Sequence, residues 1–415
     1  MDARNAFPRP NYDRAIFSLL PTVFSRNFKI DIEEPYSNFE FRDRSILRFF
    51  EESELTILVI YDALGVDQLD GKMLELWKDC GGIVLSSVFP TLTAPAILSV
   101  YAGLPPELHG VISQRQYFGE IGNFVDTLRG RADSASCTLS EAGVDMEKLL
   151  WNKPILSVAS EDIIISELIP LRIARNGGLR DFYAKYTHAV SYTFDIDMLY
   201  KLEYLLKRIA EKGDRALILV YLSYPDDLGH EHGIEFMGWS ELLDRIYFAT
   251  TKIMKIVDEN RKTRISVYFI SDHGLMPIRH TVNISQEKIQ ELKERFEIQK
   301  FAKSGRFAFI YTSRDINPEE IEQLFGHQVM VVETSDVLEH FWPLSNEFEG
   351  GMLSRAGKYI VLYKDFVESM VVKEEEDKEC NPISELNKYL AIFKASHGGA
   401  SMPEYSSIFI HYRNF

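Results

Sequence analysis

Aspartate and histidine gather in three short motifs: Asp62 directly after LTILVIY, Asp226 and His230 in PDDLGH, and Asp272 with His273 in SDHG. A fourth motif, ASHGGA, holds His397. Carboxylates with neutral imidazoles form a mixed oxygen–nitrogen donor set, which suits Zn²⁺ and can accept Mn²⁺. Asp226 and His230 are four apart, so a helical turn or a compact loop can aim both at one point. Asp272 and His273 are adjacent and need an irregular backbone to converge, which Gly274 permits. Two glycines behind His397 admit a close approach. Singly, each Asp reads as a turn former or helix cap and each His as a hydrogen-bonded core or loop residue. Jointly they read as a metal centre.

A hydroxyl accompanies them. In SSVFPTLTAPAILSVYAGLPPELHGV, Thr91 and Thr93 precede an apolar helical stretch that begins near Pro95 and stops at Gly103. A hydroxyl there sits at a helix N-terminus, where the dipole and free N–H groups favour an anion. Thr93 reads either as an N-cap or as a nucleophile activated by a metal.

The elements that must position these residues follow from the apolar pattern. Leu55–Tyr61, Ala216–Leu222, Ile265–Ile270 and Ser407–Tyr412 are continuous β-branched, aromatic or aliphatic runs, as expected of strands buried on both faces of a parallel sheet. Between them, Ile196–Lys212 and Trp239–Asn260 carry apolar stripes at helical spacing. Strand–helix–strand order predicts a doubly wound, mostly parallel α/β sheet with helices on both faces. In such sheets the carboxyl ends of the strands line one crevice, so three strands deliver Asp or His to one edge. Residues 111–190 are irregular and predict a loop-rich cap. Residues 280–395 alternate on their own, with helices at 286–297 and 318–325 and strands at 306–312, 328–333 and 358–363. The predicted division is therefore a core of 1–279 plus 396–415, with 280–395 as a small α/β insert. The run KEEEDKE at 373–379 reads as a solvated loop.

Composition bounds the partners. Across 415 residues, 46 Lys and Arg oppose 62 Asp and Glu, a formal charge of −16, with 46% hydrophobic residues. The balance argues against stable binding to nucleic acid or an anionic membrane, either of which needs a basic face. Three scattered cysteines (Cys80, Cys137 and Cys380) suggest a reducing compartment. The first twenty residues lack a signal-peptide core, and no apolar run reaches the roughly 18 residues of a membrane helix. Cytoplasmic residence is the expectation.

In their order, the five motifs resemble those of the alkaline phosphatase superfamily, most closely its type I phosphodiesterase/nucleotide pyrophosphatase branch. That resemblance spans Asp62 to His397 and implies an alkaline-phosphatase-like fold. It also implies two divalent metal sites, one on Asp226, His230 and His397, the other on Asp62, Asp272 and His273 with the Thr93 hydroxyl. Thr93 rather than Thr91 matches the family nucleophile. Two metals about 4 Å apart can hold the attacking and leaving oxygens of an in-line displacement, through a phosphothreonine that water then cleaves. The implied substrate is a small phosphate ester, with a nucleotide among the candidates.

Two departures bear on substrate. Ala94-Pro95-Ala96 stands where the nucleotide pyrophosphatases carry Phe-Pro-Asn, so the aromatic that helps hold a base is missing. By position, Gln114 replaces an Asn that binds a phosphoryl oxygen, with Arg115 beside it. His109, His232 and His280 fall outside the ligand pattern. Thr at position 93 disfavours the sulfatase and phosphoglycerate mutase branches. A phosphomonoesterase or phosphonate hydrolase on the same metals, a PglZ-like protein (suggested by HGGASMPE) and a non-catalytic binding module are the alternatives.

Overall fold

Each of the four continuous apolar runs is a strand of one sheet. The computed structural model describes residues 6–159, 161–345, 349–372 and 394–415, and the KEEEDKE run lies outside them. Strands β1 (Leu55–Tyr61), β2 (Ile83–Ser86), β3 (Ile164–Pro170), β4 (His188–Tyr192), β5 (Ala216–Leu222), β6 (Ile265–Ser271) and β7 (Ser406–Arg413) are ordered β2–β7–β6–β1–β5–β3–β4. All neighbours are parallel except those of β7, which runs antiparallel to both β6 and β2. A buried apolar run records burial on two faces but not direction, so the orientation of β7 is invisible in SIFIHY.

Alternation along the strands divides the core in two. Leu58 and Ile60 of β1, with Leu217 and Leu219 of β5, face the N-terminal segment and helix α1 (Thr93–Ala102). Ile57, Val59, Ile218 and Val220 face the opposite layer. That second layer consists chiefly of α2 (Asp195–Lys212) and α4 (Trp239–Glu259), whose buried stripes include Leu202, Leu206, Ile246 and Ile253. Among the described residues, no helix is long and apolar enough to cross a membrane.

The 111–190 region departs from a loop-rich cap. It supplies β3 and β4 to the central sheet, and a separate three-stranded antiparallel sheet from Arg115–Phe118, Asn123–Asp126 and Arg131–Ala132. In β3 the sequence IISELIP is interrupted by Ser166 and Glu167, so it lacks the continuous apolar signature. Glu167 is tolerated at full burial because Arg180 Nε donates to it at 2.9 Å and the Thr187 hydroxyl at 2.7 Å. Strand β4 is an edge, largely exposed, and so shows little alternation. Residues 300–363 build a four-stranded antiparallel sheet of their own, and Val367–Val372 pairs with His280–Ser285.

The register of the central strands sets the site. Tyr61 is level with Leu222 on one side and Ser271 on the other. The next residues, Asp62, Ser223 and Asp272, therefore leave the sheet at one height and one edge. Helix α2 offers a check on this packing. Leu206→Ala, on its buried face, should cost about 2–5 kcal/mol in urea unfolding. Tyr200→Ala, with its ring 69% exposed on the same helix, should stay within about 0.5 kcal/mol. Equal losses would contradict the layer assignment.

Candidate active site

The first residue beyond β6, Asp272, is clamped in place. Its Oδ1 accepts from the backbone N–H of Ala63 and of His273, both at 3.0 Å. That leaves Oδ2 pointing inward, 3.4 Å from His273 Nε2. The Tyr221 hydroxyl, from β5, donates to Asp62 Oδ2, while Asp62 Oδ1 lies 3.7 Å from the same imidazole nitrogen. His273 Nδ1 donates to Gly274 O at 3.1 Å. Gly274 is required here, since a Cβ on it would stand 2.1 Å from Pro403 O.

Beyond β5 the chain turns directly into helix α3 (Tyr224–His232), with Pro225 in its first turn. The helical turn places Asp226 and His230 on one face, Oδ1 to Nε2 at 3.2 Å. His230 Nδ1 donates to Ala395 O at 2.9 Å. His397 arrives from the far side, its Nδ1 donating to Thr91 O at 2.7 Å and its Nε2 3.5 Å from Asp226 Oδ1. Its ring stacks on that of His273, centroids 3.9 Å apart, so the two carboxylate–imidazole groups share a wall.

These contacts fix the protonation states. Carbonyl oxygens only accept, so Nδ1 carries a proton in all three histidines, and burial, which keeps His273 and His397 neutral, leaves the Nε2 of those two as a lone pair. Burial drives His273 down to about 3, and burial with the neighbouring His273 holds His397 well below its ordinary value. Burial and then Asp226 push Asp272 up to about 7; burial, Asp272 and Asp226 raise Asp62 well above the carboxylate range. Asp62 Oδ1, Asp226 Oδ1 and Asp272 Oδ2 are buried without a hydrogen-bond partner. Acceptor atoms thus face one another, at separations that an intervening divalent cation, or a proton on the raised carboxylates, turns into attraction. The residues fit divalent metals as two groups: Asp226, His230 and His397, and Asp62, Asp272 and His273.

Thr93 stands against the group of Asp62, Asp272 and His273. It is the first residue of α1, and Leu92 holds the N-cap position without a side-chain cap bond, so Thr93 is not the cap. Its Oγ1 lies 3.3 Å from His273 Nε2. Thr91 is otherwise engaged: its hydroxyl donates to Gly399 O and accepts from Gly398 N, fastening the loop that carries His397.

Thr93, Asp62 and Asp226 open into a cavity of about 480 Å³. Gln114 is not among its lining residues; its carbonyl accepts from Thr127. Arg115 pairs with Asp133 at 3.1 Å. Gln116 is the buried amide of that loop, bonded to the backbone of Gly110, Ile112 and Ser113. His109 is buried on Ser99 Oγ and the Val111 N–H, away from both groups. His232 is half-exposed beside Phe236.

Two features escape sequence reasoning. Tyr221 is one aromatic in an apolar strand, and nothing but its place at the strand end marks its hydroxyl. Arg306 and Glu404 form a wholly buried pair at 2.7 Å. Glu404 also accepts from the N–H of Gly399 and of Ser401, and the Arg306 N–H donates to His397 O at 2.8 Å. A residue of the 300–363 sheet therefore grips the His397 loop.

Two outcomes follow. Arg306→Met strands a buried carboxylate and should cost about 3–5 kcal/mol in denaturant unfolding, whereas a pair of no consequence would cost nothing measurable. The second concerns metal removal. Raised carboxylates contribute stability at low pH and lose it as pH climbs through about 7. The lowered histidines act oppositely, but their contribution fades only as pH falls from 6.5 toward about 3. At pH 6.5 an unfolded-chain histidine is still half-protonated, so the carboxylates act alone only above about pH 7.5. With Asp62 raised as well, metal-stripped protein should melt lower at about pH 9 than at about pH 7.5. Added zinc should abolish that slope. A flat profile after chelation would remove the electrostatic account.

Comparison with known proteins agrees with this geometry. The family described as type I phosphodiesterase / nucleotide pyrophosphatase matches residues 56–377. An uncharacterized pyrophosphatase/phosphodiesterase of Schizosaccharomyces pombe is 24% identical over 196 residues, 46% of this chain. Ectonucleotide pyrophosphatase/phosphodiesterase family member 1 of Rattus norvegicus is 27% identical over 239 residues, 54% of this chain. The chain spans only 37% and 24% of those relatives' own lengths. Among solved structures, murine ectonucleotide pyrophosphatase/phosphodiesterase 5 superposes with a TM-score of 0.60 at 14% identity, covering 86% of this chain and 87% of that one. An inactive variant of it, in complex with AMP, gives 0.59 at 13% identity, with the same coverage. With a match across most of its length and the matching fold, the chain belongs to the type I phosphodiesterase/nucleotide pyrophosphatase family.

Proposed function

We propose that this protein hydrolyses phosphodiester or pyrophosphate bonds through a phosphothreonine on Thr93. The observation that carries the reading is the Thr93 hydroxyl, 3.3 Å from His273 Nε2, where two carboxylate–imidazole groups adjoin. Asp226, His230 and His397 would hold one divalent cation; Asp62, Asp272 and His273, with Thr93, the other. The donor set favours zinc, with manganese as the substitute. When bound, such cations supply Lewis acidity, which compensates phosphoryl charge and lowers the proton affinity of a hydroxyl.

The chain's own residues do the rest. Thr93 Oγ attacks phosphorus in line with the leaving oxygen, forming one P–O bond as the other breaks, and the proton ends on the departing alcohol or phosphate. Water then cleaves the phosphothreonine and restores the hydroxyl. The first turn of α1 leaves the N–H groups of Thr93 and Ala94 free for phosphoryl oxygens, and Pro95 has none to offer. Tyr221 and the backbone carbonyls on each Nδ1 hold the ligand set rigid, so little reorganisation is needed.

A nucleotide is among the substrates proposed, on the strength of the family and of the AMP complex formed by the murine neighbour. The division of the chain into a core and a 280–395 insert is proposed with it, supported by the separate sheet of residues 300–363. Cytoplasmic residence is proposed from the scattered cysteines.

Bis-p-nitrophenyl phosphate and p-nitrophenyl phosphate test the activity. Zinc-loaded protein should prefer the diester, lose turnover to a chelator and regain it with zinc. Thr93→Ala should reduce turnover at least about a thousandfold, while Thr93→Ser keeps a measurable part. Full turnover by Thr93→Ala would end the nucleophile assignment, and preference for the monoester would move the substrate class.

A further inference from the structure

The cavity wall around Thr93 carries four arginines, Arg129, Arg131, Arg172 and Arg180, against three aspartates, with no lysine or glutamate. In a chain with 16 more acids than bases, that is an inverted local balance. Two of the aspartates, Asp62 and Asp226, belong to the proposed metal groups, and the third, Asp227, is already paired with Arg172. The arginines come from separate parts of the chain: the small three-stranded sheet, the helix at Leu171–Asn176 and the turn after it.

Three of the four are also held in place. Arg172 Nη2 donates to Ser223 Oγ at 2.8 Å and to Asp227, leaving Nε and Nη1 for another acceptor. Arg180 is fixed on Glu167 and Arg129 on Asp126. Arg131 is exposed, its strand residue paired with Asp126, and among the described residues no carboxylate forms an ion pair with it. A guanidinium left over at the mouth of a phosphate-ester cavity is suited to a planar, two-oxygen acceptor.

We infer that the substrate carries a second anionic group, a phosphate or carboxylate, beyond the scissile phosphoryl, and that Arg131 and Arg172 receive it. The inference rests on the function proposed above and narrows its substrate class to doubly anionic esters. Such a contact is made in the ground state as well as the transition state, so it acts mainly on KM. At an exposed rim it weakens as salt rises.

The test uses the whole zinc-loaded protein. Calorimetry would compare thymidine 5′-phosphate, thymidine 3′,5′-bisphosphate and thymidine 5′-phosphate bearing a 3′-O-succinyl group, which separates phosphate from carboxylate. At least one doubly substituted ligand should bind about tenfold more tightly than the 5′-phosphate, a preference lowered by added salt. Arg131→Ala and Arg172→Ala should each shrink that ratio, whereas Arg208→Ala, outside the cavity wall, should not. The p-nitrophenyl 5′-esters of the same three compounds should rank alike in kcat/KM, through KM. A ratio near one in the native protein, or one that survives both variants, overturns the inference. If no ester is hydrolysed while the binding ratio and its loss persist, the anion site stands and the hydrolytic reading fails.

Discussion

Three carboxylate oxygens that no donor among the described residues reaches lie 3.2–3.7 Å from the Nε2 atoms of His230, His273 and His397, and this opposition governs the molecule. A protein interior does not ordinarily tolerate it, because each group has left water without compensation. It persists here because five of the six side chains are anchored through their other polar atom. Asp272 Oδ1 is held by two backbone amides, each Nδ1 by a carbonyl, and Asp62 by the Tyr221 hydroxyl. The anchoring fixes the direction of each lone pair, and the fold supplies the force that keeps like-charged groups together. Charge compensation by cations is then a matter of stability as much as of chemistry.

The level register of three adjacent strands makes that anchoring possible. Because Tyr61, Leu222 and Ser271 sit side by side, one further residue brings in Asp62 and Asp272 and the first turn of α3 brings in Asp226. The alternate faces of the same strands bury two independent hydrophobic layers, so the edge is stiff on both sides. The 300–363 sheet then contributes from above. Trp342 donates to Phe89 O at 3.0 Å, close to the Thr93 turn, and Arg306 holds the loop of His397. Neither element supplies a candidate ligand, yet both approach residues that do.

Much of this is legible in the amino acids, and the exceptions share a cause. LTILVIY, ALILVYL and ISVYFIS announce buried strands because nothing charged interrupts them, and the Asp that closely follows each then stands out. Strand β3 is hidden because Glu167 interrupts its run, and its compensation by Arg180 and Thr187 is a tertiary fact that no local pattern records. The direction of β7 is hidden because burial is blind to direction. Gln114 matches a position by counting from Thr93, but the loop folds so that Gln116 is the buried amide. The spacing of Asp226 and His230 exposes their convergence, while the partner each Nδ1 finds depends on residues far along the chain. Local chemistry is thus readable where strand ends dictate geometry and opaque where a distant side chain cancels a cost.

The separation of the candidate ligands along the chain has a consequence for synthesis. Asp62 emerges early, and His397 is made over three hundred residues later, after the whole 300–363 sheet. At about 5–20 residues per second, that interval is roughly 15–70 s. Within it the group of Asp62, Asp272 and His273 is completed at residue 273, whereas the group of Asp226 and His230 still lacks its third member. Complete loading therefore waits until the last loop is delivered and clamped by Arg306. On the proposed function, filling of the Asp226 group is a closing step of maturation, and until then the nascent chain carries that centre half-built.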